Sequence, residues 1–508
     1  MSLIGIIILA IFATVIIIAT LEKMNRAVIS LLGAIVVHAL LVLYHGLSPE
    51  EILQFIDYRV LIAIIGISII VEVTRESGLF QYIAIKAVKL SKGEPIPLLI
   101  ILCLMSYALA TVATAIVAII IMGTLTIAIS RILRIDPVPY LIAEAIVVDV
   151  GGMTLLFSSI PNIILSQSVG LGLDVFIKYA APFSIVSLTI SIVIIYSKFR
   201  YTLDQPDELR KMLLLEFDEW ALVRNRSVFY RSAVLFSLVI MGLLLYRDIA
   251  FVAITGAALM LAITGIEVDE VLKRVDWETI LFFSGLFVIV GGLEHEGLLE
   301  ALGHSLGELT GGNLLFAMLL TLWLVGILSG VIDNVPIVLA FIPVINALIK
   351  TSGASNFAEI LWVTMILATN LGGNFLPYGA PTTVLAMGIG RKAGKSFRAK
   401  DFIKIGPIWT LSNLVVATFY LLGIVSMSYI IEKIGFVPLI LLLTSLGTAI
   451  ILITVYKFVG FDRLYLILQS LGKKIRDIFL EIPKILYRTI RLIRKKLSAL
   501  RTGSSSAY

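Results

Sequence analysis

Apolar residues along this chain fall in long unbroken runs, with neither the alternation of a half-buried strand nor the stripe of a surface helix. The first run, Leu3–Thr20, reads LIGIIILAIFATVIIIAT. About 20 apolar residues are what a helix needs to cross the hydrocarbon core of a bilayer. A membrane β-barrel strand would alternate over about 10 residues, and these runs do not. In order, they predict spans at 3–20, 27–44 and 60–74, then an apolar stretch at 97–133 interrupted near 106–115. A span at 139–158 breaks after a diglycine, and a return follows at 176–196. Beyond a polar segment at 198–231 come spans at 232–246, 249–264 and 279–293, and a second interrupted stretch at 314–350 broken at 329–336. A second broken span at 362–388 and spans at 408–428 and 437–456 complete the pattern. Run 3–20 has no basic flank before it and no small-residue cleavage site after it, so it is expected to be retained rather than to be a signal peptide.

Two segments resemble each other. DYRVLIAIIGISIIVEVTRESGL (57–79) aligns with DWETILFFSGLFVIVGGLEHEGL (276–298) at an offset of 219, matching Asp57/Asp276, Gly66/Gly285, Val71/Val290, Gly78/Gly297 and Leu79/Leu298. DVGGMTLLFSSIPN (149–162) then aligns with NLGGNFLPYGAPTT (370–383) at an offset of 221 through Gly151-Gly152/Gly372-Gly373. Two matches in one order at nearly one offset define an internal repeat.

Charge orients the repeats. Arg75, Lys86, Lys89 and Lys92 follow the first copy, whereas 294–310 after the second holds no Lys or Arg. Positive charge marks the cytoplasmic side, so the copies are expected to be inverted, as in many secondary transporters. Lys92 precedes the stretch 97–133, and Arg131 and Arg134 end it. Both of its ends then lie on one side, which makes it a re-entrant hairpin, tolerated only where protein or a water-filled cavity surrounds it. The expected fold is an all-α polytopic membrane protein with about eleven crossings and two hairpins, N-terminus outside and C-terminus in the cytoplasm, in the plasma membrane. Its organisation is an N-terminal span and loop (1–26) and repeat 1 (27–198), with a cytoplasm-facing hairpin at 97–133 and a broken helix at 139–169. A cytoplasmic linker and connecting span (199–248) lead to repeat 2 (249–428), with an outward-facing hairpin at 314–350 and a broken helix at 362–388. A last span (429–458) and a basic amphipathic tail (459–508) follow.

Composition agrees. Apolar residues make up 59% of the 508 and charged ones 15%, with a mean hydropathy of +1.05; soluble domains carry about 25% charged residues. A soluble globular or disordered chain is excluded. Cys103 is the single cysteine, so no intrachain disulfide or thiolate metal cluster can form. Of the net charge of +6, residues 457–508 hold +9, from twelve Lys and Arg against three Asp and Glu, leaving the remainder acidic by three. Such a tail fits an interfacial helix on anionic lipid head groups rather than nucleic acid.

The polar residues inside apolar runs carry the candidate chemistry. An ionised Asp at mid-bilayer costs about 2.5–3.5 kcal/mol on insertion scales, so it faces a cavity or a partner. Asp333 and Asn334 sit in the break of the second hairpin; Asp149 precedes Gly151 and Gly152; Asn370 and Asn374 flank Gly372 and Gly373. Glycines let a helix unwind and backbone approach an ion, though a glycine pair also serves as a plain packing surface. Thr111 and Thr114 at the first hairpin break, Ser158, Ser159 and Asn162 after the first diglycine, and Thr382 and Thr383 after the second add neutral oxygens. Oxygen ligands suit a hard cation; half-helix N-termini there would favour an anion. Thr111 and Thr114 could equally bond to carbonyls one turn back. Glu144 is either a proton-carrying group or an ion-pair partner.

The segments LSGVIDNVPIVLAFIPVI, DPVPYLIAEAIVVDVGG with PNIILS, and LGGNFLPYGAPTTVLAMGIG resemble the ion transporter superfamily. Within it they are most similar to the branch of arsenite permeases, D-type sodium–proton antiporters and P-protein- and citrate-transporter-like proteins. The likeness covers about residues 20–430. It implies a scaffold domain and a transport domain that carries both hairpins, moves elevator-fashion and works in a homodimer. Asp333 and Asn334 match the family's Asp-Asn at the second hairpin tip; Gly372, Gly373 and Asn374 match its second glycine motif; Pro161 and Asn162 match the Pro-Asn that closes the first. Three places depart. Ala113 and Thr114 stand where many antiporter-like members have the first Asp-Asn, Ser159 replaces a frequent Asp, and Asp149 replaces a usual Asn, which keeps one carboxylate per repeat.

The expected function is an ion-coupled secondary transporter, of sodium/proton antiport type, in which Asp149 and Asp333 alternately bind sodium and protons. The alternatives are a permease for arsenite or another neutral oxyacid, and a sodium-coupled citrate or dicarboxylate transporter. The last would want an Arg or helix N-termini at the site, and no Arg falls in the middle of an apolar run. A passive ion channel belongs to another class; saturable, uphill flux separates it from a carrier. An intramembrane aspartyl protease is excluded, because its Gly-x-Gly-Asp motif is absent. No enzyme activity, cofactor or nucleic-acid partner is expected beyond the bilayer, a coupling sodium or proton, and a small inorganic ion or anion.

Overall fold

Lipid offers a backbone no hydrogen bonds, so an apolar run has to close its own, and it does so as helix. The computed structural model describes residues 2–434 apart from 22, 224, 312 and 353–357, and every regular element among them is helical. The span expected at 437–456 and the basic tail, with the anionic lipid contact expected of it, lie outside the described residues.

The first half runs α1 (Leu3–Thr20), α2 (Arg26–His45), α3 (Pro49–Leu53), α4 (Tyr58–Glu76), α5 (Leu79–Val88), α6 (Pro95–Ala113), α7 (Ala115–Leu133), α8 (Val138–Gly152) and α9 (Ile160–Val169). A short α10 (Leu173–Val175) passes through a π-helical turn, Phe176–Ala180, into α11 (Ala181–Phe199). α12 (Glu208–Glu216) and α13 (Arg226–Leu245) connect the halves. The second half runs α14 (Ile249–Thr264), α15 (Val268–Arg274), α16 (Trp277–His295), α17 (Leu298–Leu309), α18 (Leu314–Ser329), α19 (Asn334–Ser352), α20 (Ala358–Gly372), α21 (Pro381–Lys392), α22 (Ala399–Ile403) and α23 (Gly406–Ile434). Single polar side chains start the long helices. Asn25, Asp57, Asn225, Asp248, Asp276 and Asn313 accept from backbone N–H groups in the first turns of α2, α4, α13, α14, α16 and α18, groups that would otherwise be orphaned.

Among the described residues, eight helices are long and apolar enough to cross a membrane, and four more apolar helices are shorter. The expected count of about eleven crossings is therefore more specific than helix length and composition support. α4 has 19 residues but carries Arg59, Glu72, Arg75 and Glu76, and the pieces on either side of the breaks are short. α5 and α17 were not expected. They are short helices that follow Gly78 and Gly297, both in the left-handed conformation.

The halves pack reciprocally. α2 lies along α16, and α14 lies along α4. Each crossing closes on a repeat-matched glycine: a Cβ on Gly66 would stand 2.6 Å from the Ala253 backbone, and one on Gly285 2.7 Å from the Ser30 backbone. The ends of these crossings differ. Near the end of α4, Glu72 accepts from Arg75 and from Arg274 Nη1 at 3.3 Å, and Glu76 also pairs with Arg274. At the matched positions of α16, Gly291 faces the Phe55 ring and His295 lies 6.5 Å from that ring's centroid. Within each half the hairpin's first arm packs on the broken helix, α6 on α8 and α18 on α20. Here too a glycine sets the approach, with Gly151 against the Tyr107 carbonyl (2.5 Å for a Cβ) and Gly372 against that of Gly326 (2.3 Å).

Candidate functional site

A single residue separates the arms of the first hairpin. Thr114 turns the chain between α6 and α7 at φ 72° and ψ 150°, a region where a β-branched residue is strained. In the second hairpin Asp333 precedes α19, and its Oδ1 accepts from the Val335 N–H at 3.1 Å. The helix starts set Thr114-Ala115 against Asp333-Asn334, one residue later than the Ala113-Thr114 pairing implied by the resemblance. The second glycine of each diglycine faces the tip of its own hairpin. A Cβ on Gly152 would sit 3.5 Å from Ala115 and one on Gly373 3.0 Å from Asn334.

The broken helices reach across to each other. Thr382 Oγ1 lies 3.0 and 3.1 Å from the two carboxylate oxygens of buried Asp149. At the position matching Asp149, Asn370 donates from Nδ2 to Asn162 Oδ1 at 3.2 Å. Asn162 in turn donates to the Gly152 and Leu155 carbonyls at 2.9 Å, bridging the first break. Asn374 donates to the Ile146 carbonyl at 3.3 Å, again across the halves. The Ser329 hydroxyl lies against Asn334 Oδ1 and 3.0 Å from the Thr369 carbonyl. Ser159 Oγ, Thr383 Oγ1 and Asn374 Oδ1 are buried without a hydrogen-bond partner among the described residues.

A narrow space of about 60 Å³ brings together Thr114, Asp149, Ser159, Asp333, Asn334, Asn370 and Thr382. It adjoins a wider cavity of about 710 Å³ that Thr114 and Asp333 also line. Other expected residues lie apart from the narrow space. Gly151 and Gly372 serve the close packing of hairpin on broken helix. Thr111 donates to the Tyr107 carbonyl one turn back at 3.0 Å, and Ser158 donates to the Thr111 carbonyl at 2.6 Å, so both tie the first break together. Glu144 is fully buried, accepts from Thr126, and lines neither cavity.

Arg26 and Thr279 line the narrow space and were not expected there. Arg26 reads in the sequence as a charge marking the end of a run. One signal could have raised it: it opens a helix, where the macrodipole disfavours a cation, so it needs acidic partners. It has them in Glu278 Oε1 at 3.2 Å and Asp276 Oδ2 at 3.7 Å, and its Nη2 donates to Thr279 Oγ1 at 2.8 Å.

Apolar helices in reciprocal pairs, with two hairpin tips converging on carboxylates, define a polytopic membrane transporter. The citrate transporter family model matches residues 15–368, and the chain belongs to that family, within the ion transporter superfamily. An uncharacterized transporter of Mycobacterium tuberculosis is 30% identical over 370 residues, covering 72% of this chain and 86% of its own length. The P protein of Mus musculus is 27% identical over 496 residues, covering 81% of this chain and 59% of that protein. Among solved structures, MtrF of Neisseria gonorrhoeae, described as illuminating a class of antimetabolite efflux pumps, shares the fold. It aligns with a TM-score of 0.53 at 12% identity, over 83% of this chain and 94% of MtrF.

Proposed function

We propose that the chain is a secondary transporter of sodium/proton-exchange type that works by alternating access in the plasma membrane. One observation carries this reading: Asp149 and Asp333, one from each half, share a space of about 60 Å³ with neutral Ser, Thr and Asn oxygens. A water occupies about 30 Å³ in the liquid and drug-sized ligands fill about 300–1,000 Å³, so the space suits a bare or partly hydrated monovalent cation, or protons, and not a tricarboxylate. Asp, Ser, Thr and Asn oxygens are the ligands a hard cation takes. On this reading the two halves are inverted repeats, which the reciprocal packing supports. The hairpins and broken helices form the moving body, α2, α4, α14 and α16 the scaffold, and two copies a dimer. The positive-inside rule assigns the face carrying Arg26, Arg75 and Arg274 to the cytoplasm, so the wide cavity faces inward.

A second reading, cation-coupled uptake of a di- or tricarboxylate, draws on the family's description and on Arg26. Against it, the wide cavity is lined by Arg26, Arg75 and Arg274 but also by Glu72, Asp276, Glu278 and Asp333, so its charge does not favour an anion. Arsenite export needs no fixed charge and stays as a test arm. The deciding experiment uses sealed proteoliposomes with an internal pH dye under sodium, lithium or potassium gradients, then arsenite and citrate. Cation-driven proton movement in the wild type, lost in Asp149→Asn and in Asp333→Asn, is expected. Saturable citrate or arsenite flux without cation-driven proton movement overturns the exchange reading.

A further inference from the structure

The narrow space holds two carboxylates and one basic side chain, that of Arg26 on α2. Its guanidinium leans on the opposite wall through Glu278, Asp276 and Thr279, and the Phe282 ring lies below it at 6.0 Å. Of its five N–H bonds, those on Nε and Nη2 are committed to Glu278 and Thr279; Nη1 has no hydrogen-bond partner among the described residues. Arg26 therefore borders the space that Asp333 borders, is already held by carboxylates, and keeps donors to spare. Its charge is permanent.

Resting on the exchange reading above, we propose that Arg26 is a tethered stand-in for the transported cation. When the cation leaves Asp333 through the wide cavity, the guanidinium turns from Glu278 and Asp276 and takes its place; a returning cation displaces it. Two properties follow. Arg26 competes with the cation, so it sets the half-saturating concentration at this face. Arg26 also belongs to α2 whereas Asp333 belongs to the hairpin, so an emptied, charged Asp333 is held at this face until a cation or proton reloads it, which makes exchange obligatory.

Substitutions of Arg26 and of its tether separate this role from a structural one. In proteoliposomes with the cation varied at the Arg26 face, Arg26→Gln lowers the half-saturating concentration by about tenfold, the equivalent of about 1.4 kcal/mol, and opens a proton leak in the absence of cation at that face. Arg26→Lys keeps the charge and stays near the wild-type value. Glu278→Gln loosens the tether, frees the guanidinium for Asp333, and raises the half-saturating concentration. A residue that merely pins α2 to α16 would give Arg26→Gln and Glu278→Gln the same direction of change, since both break one bridge. Shifts in one direction, or no shift with an active wild type, overturn the proposal. Should Arg26→Gln fail to insert, Glu278→Gln still decides: an unchanged or lowered value overturns it. A wild type that moves no protons under any cation gradient overturns the exchange reading itself.

Discussion

On the exchange reading proposed above, Asp149 and Thr382 illustrate how little a proton cycle needs to rearrange. A hydroxyl has one proton and accepting lone pairs, so Thr382, equidistant from both oxygens of Asp149, donates to the carboxylate and accepts from the carboxylic acid in one position. Replacing Thr382 with Val removes a hydrogen bond to a charged group, worth about 1.5–3 kcal/mol. We expect at least about a tenfold rise in half-saturating cation concentration for Thr382→Val and near-wild-type behaviour for Thr382→Ser, read from the concentration dependence of exchange. The two aspartates were legible in the sequence because a carboxylate within an apolar run has no cheap explanation. Arg26 was not. It stands at the edge of its run, where any basic residue reads as a topology marker, and its partners Asp276 and Glu278 come from a segment some 250 residues away.

At the scale of the element, the glycines and the hairpin tip carry the load. A Cβ on Gly151 or Gly372 would meet a backbone carbonyl of the adjacent hairpin arm at 2.5 or 2.3 Å, which has no flexible end to yield. Overpacking of this kind costs about 1–3 kcal/mol, so Gly151→Ala and Gly372→Ala are expected to lower the melting midpoint in detergent. Gly388 is the control. Nothing lies within 4 Å of its added Cβ and it sits inside α21, so Gly388→Ala is expected to raise stability by about 0.5–1 kcal/mol. Thr114 holds a backbone conformation close to glycine's own, at a cost of about 1–3 kcal/mol. Thr114→Gly is expected to raise the midpoint and Thr114→Val to leave it unchanged or lower it. Most helices were visible as apolar runs, and both broken helices as diglycines followed by Pro. α5 and α17 escaped because ten or twelve half-buried residues carry no spanning run. The hairpin register slipped by one because Ala113 and Thr114 offer no polar pair to align.

For the whole molecule, the wide cavity and the single buried thiol give a direct test of access. Cys103 is 1% exposed, so the native protein is expected to resist maleimide until denatured. With Cys103 replaced by Ala, a cysteine in place of Ser68, on the cavity wall, is expected to react with an impermeant maleimide from the Arg26 face alone. Equal labelling from both faces would point to an open passage and a channel. Among the described residues the matched ends of these helices differ in the ionic clasp of Arg274 with Glu72 and Glu76, where the other end places Phe55, Gly291 and His295. Two identical halves would make a carrier's resting partition even. Here one end closes on an arginine held by two carboxylates, and the other on rings and a His45–Glu296 contact at 2.5 Å, so dissolved salt acts more strongly on the first. A resting partition of this kind multiplies the apparent affinity at each face by the fraction of carriers waiting there, yet it cannot alter the final gradient, which the coupled ions alone determine. On the exchange reading proposed above, ionic strength on one side of the membrane then acts as a dial on how readily the carrier loads, and leaves where it stops untouched.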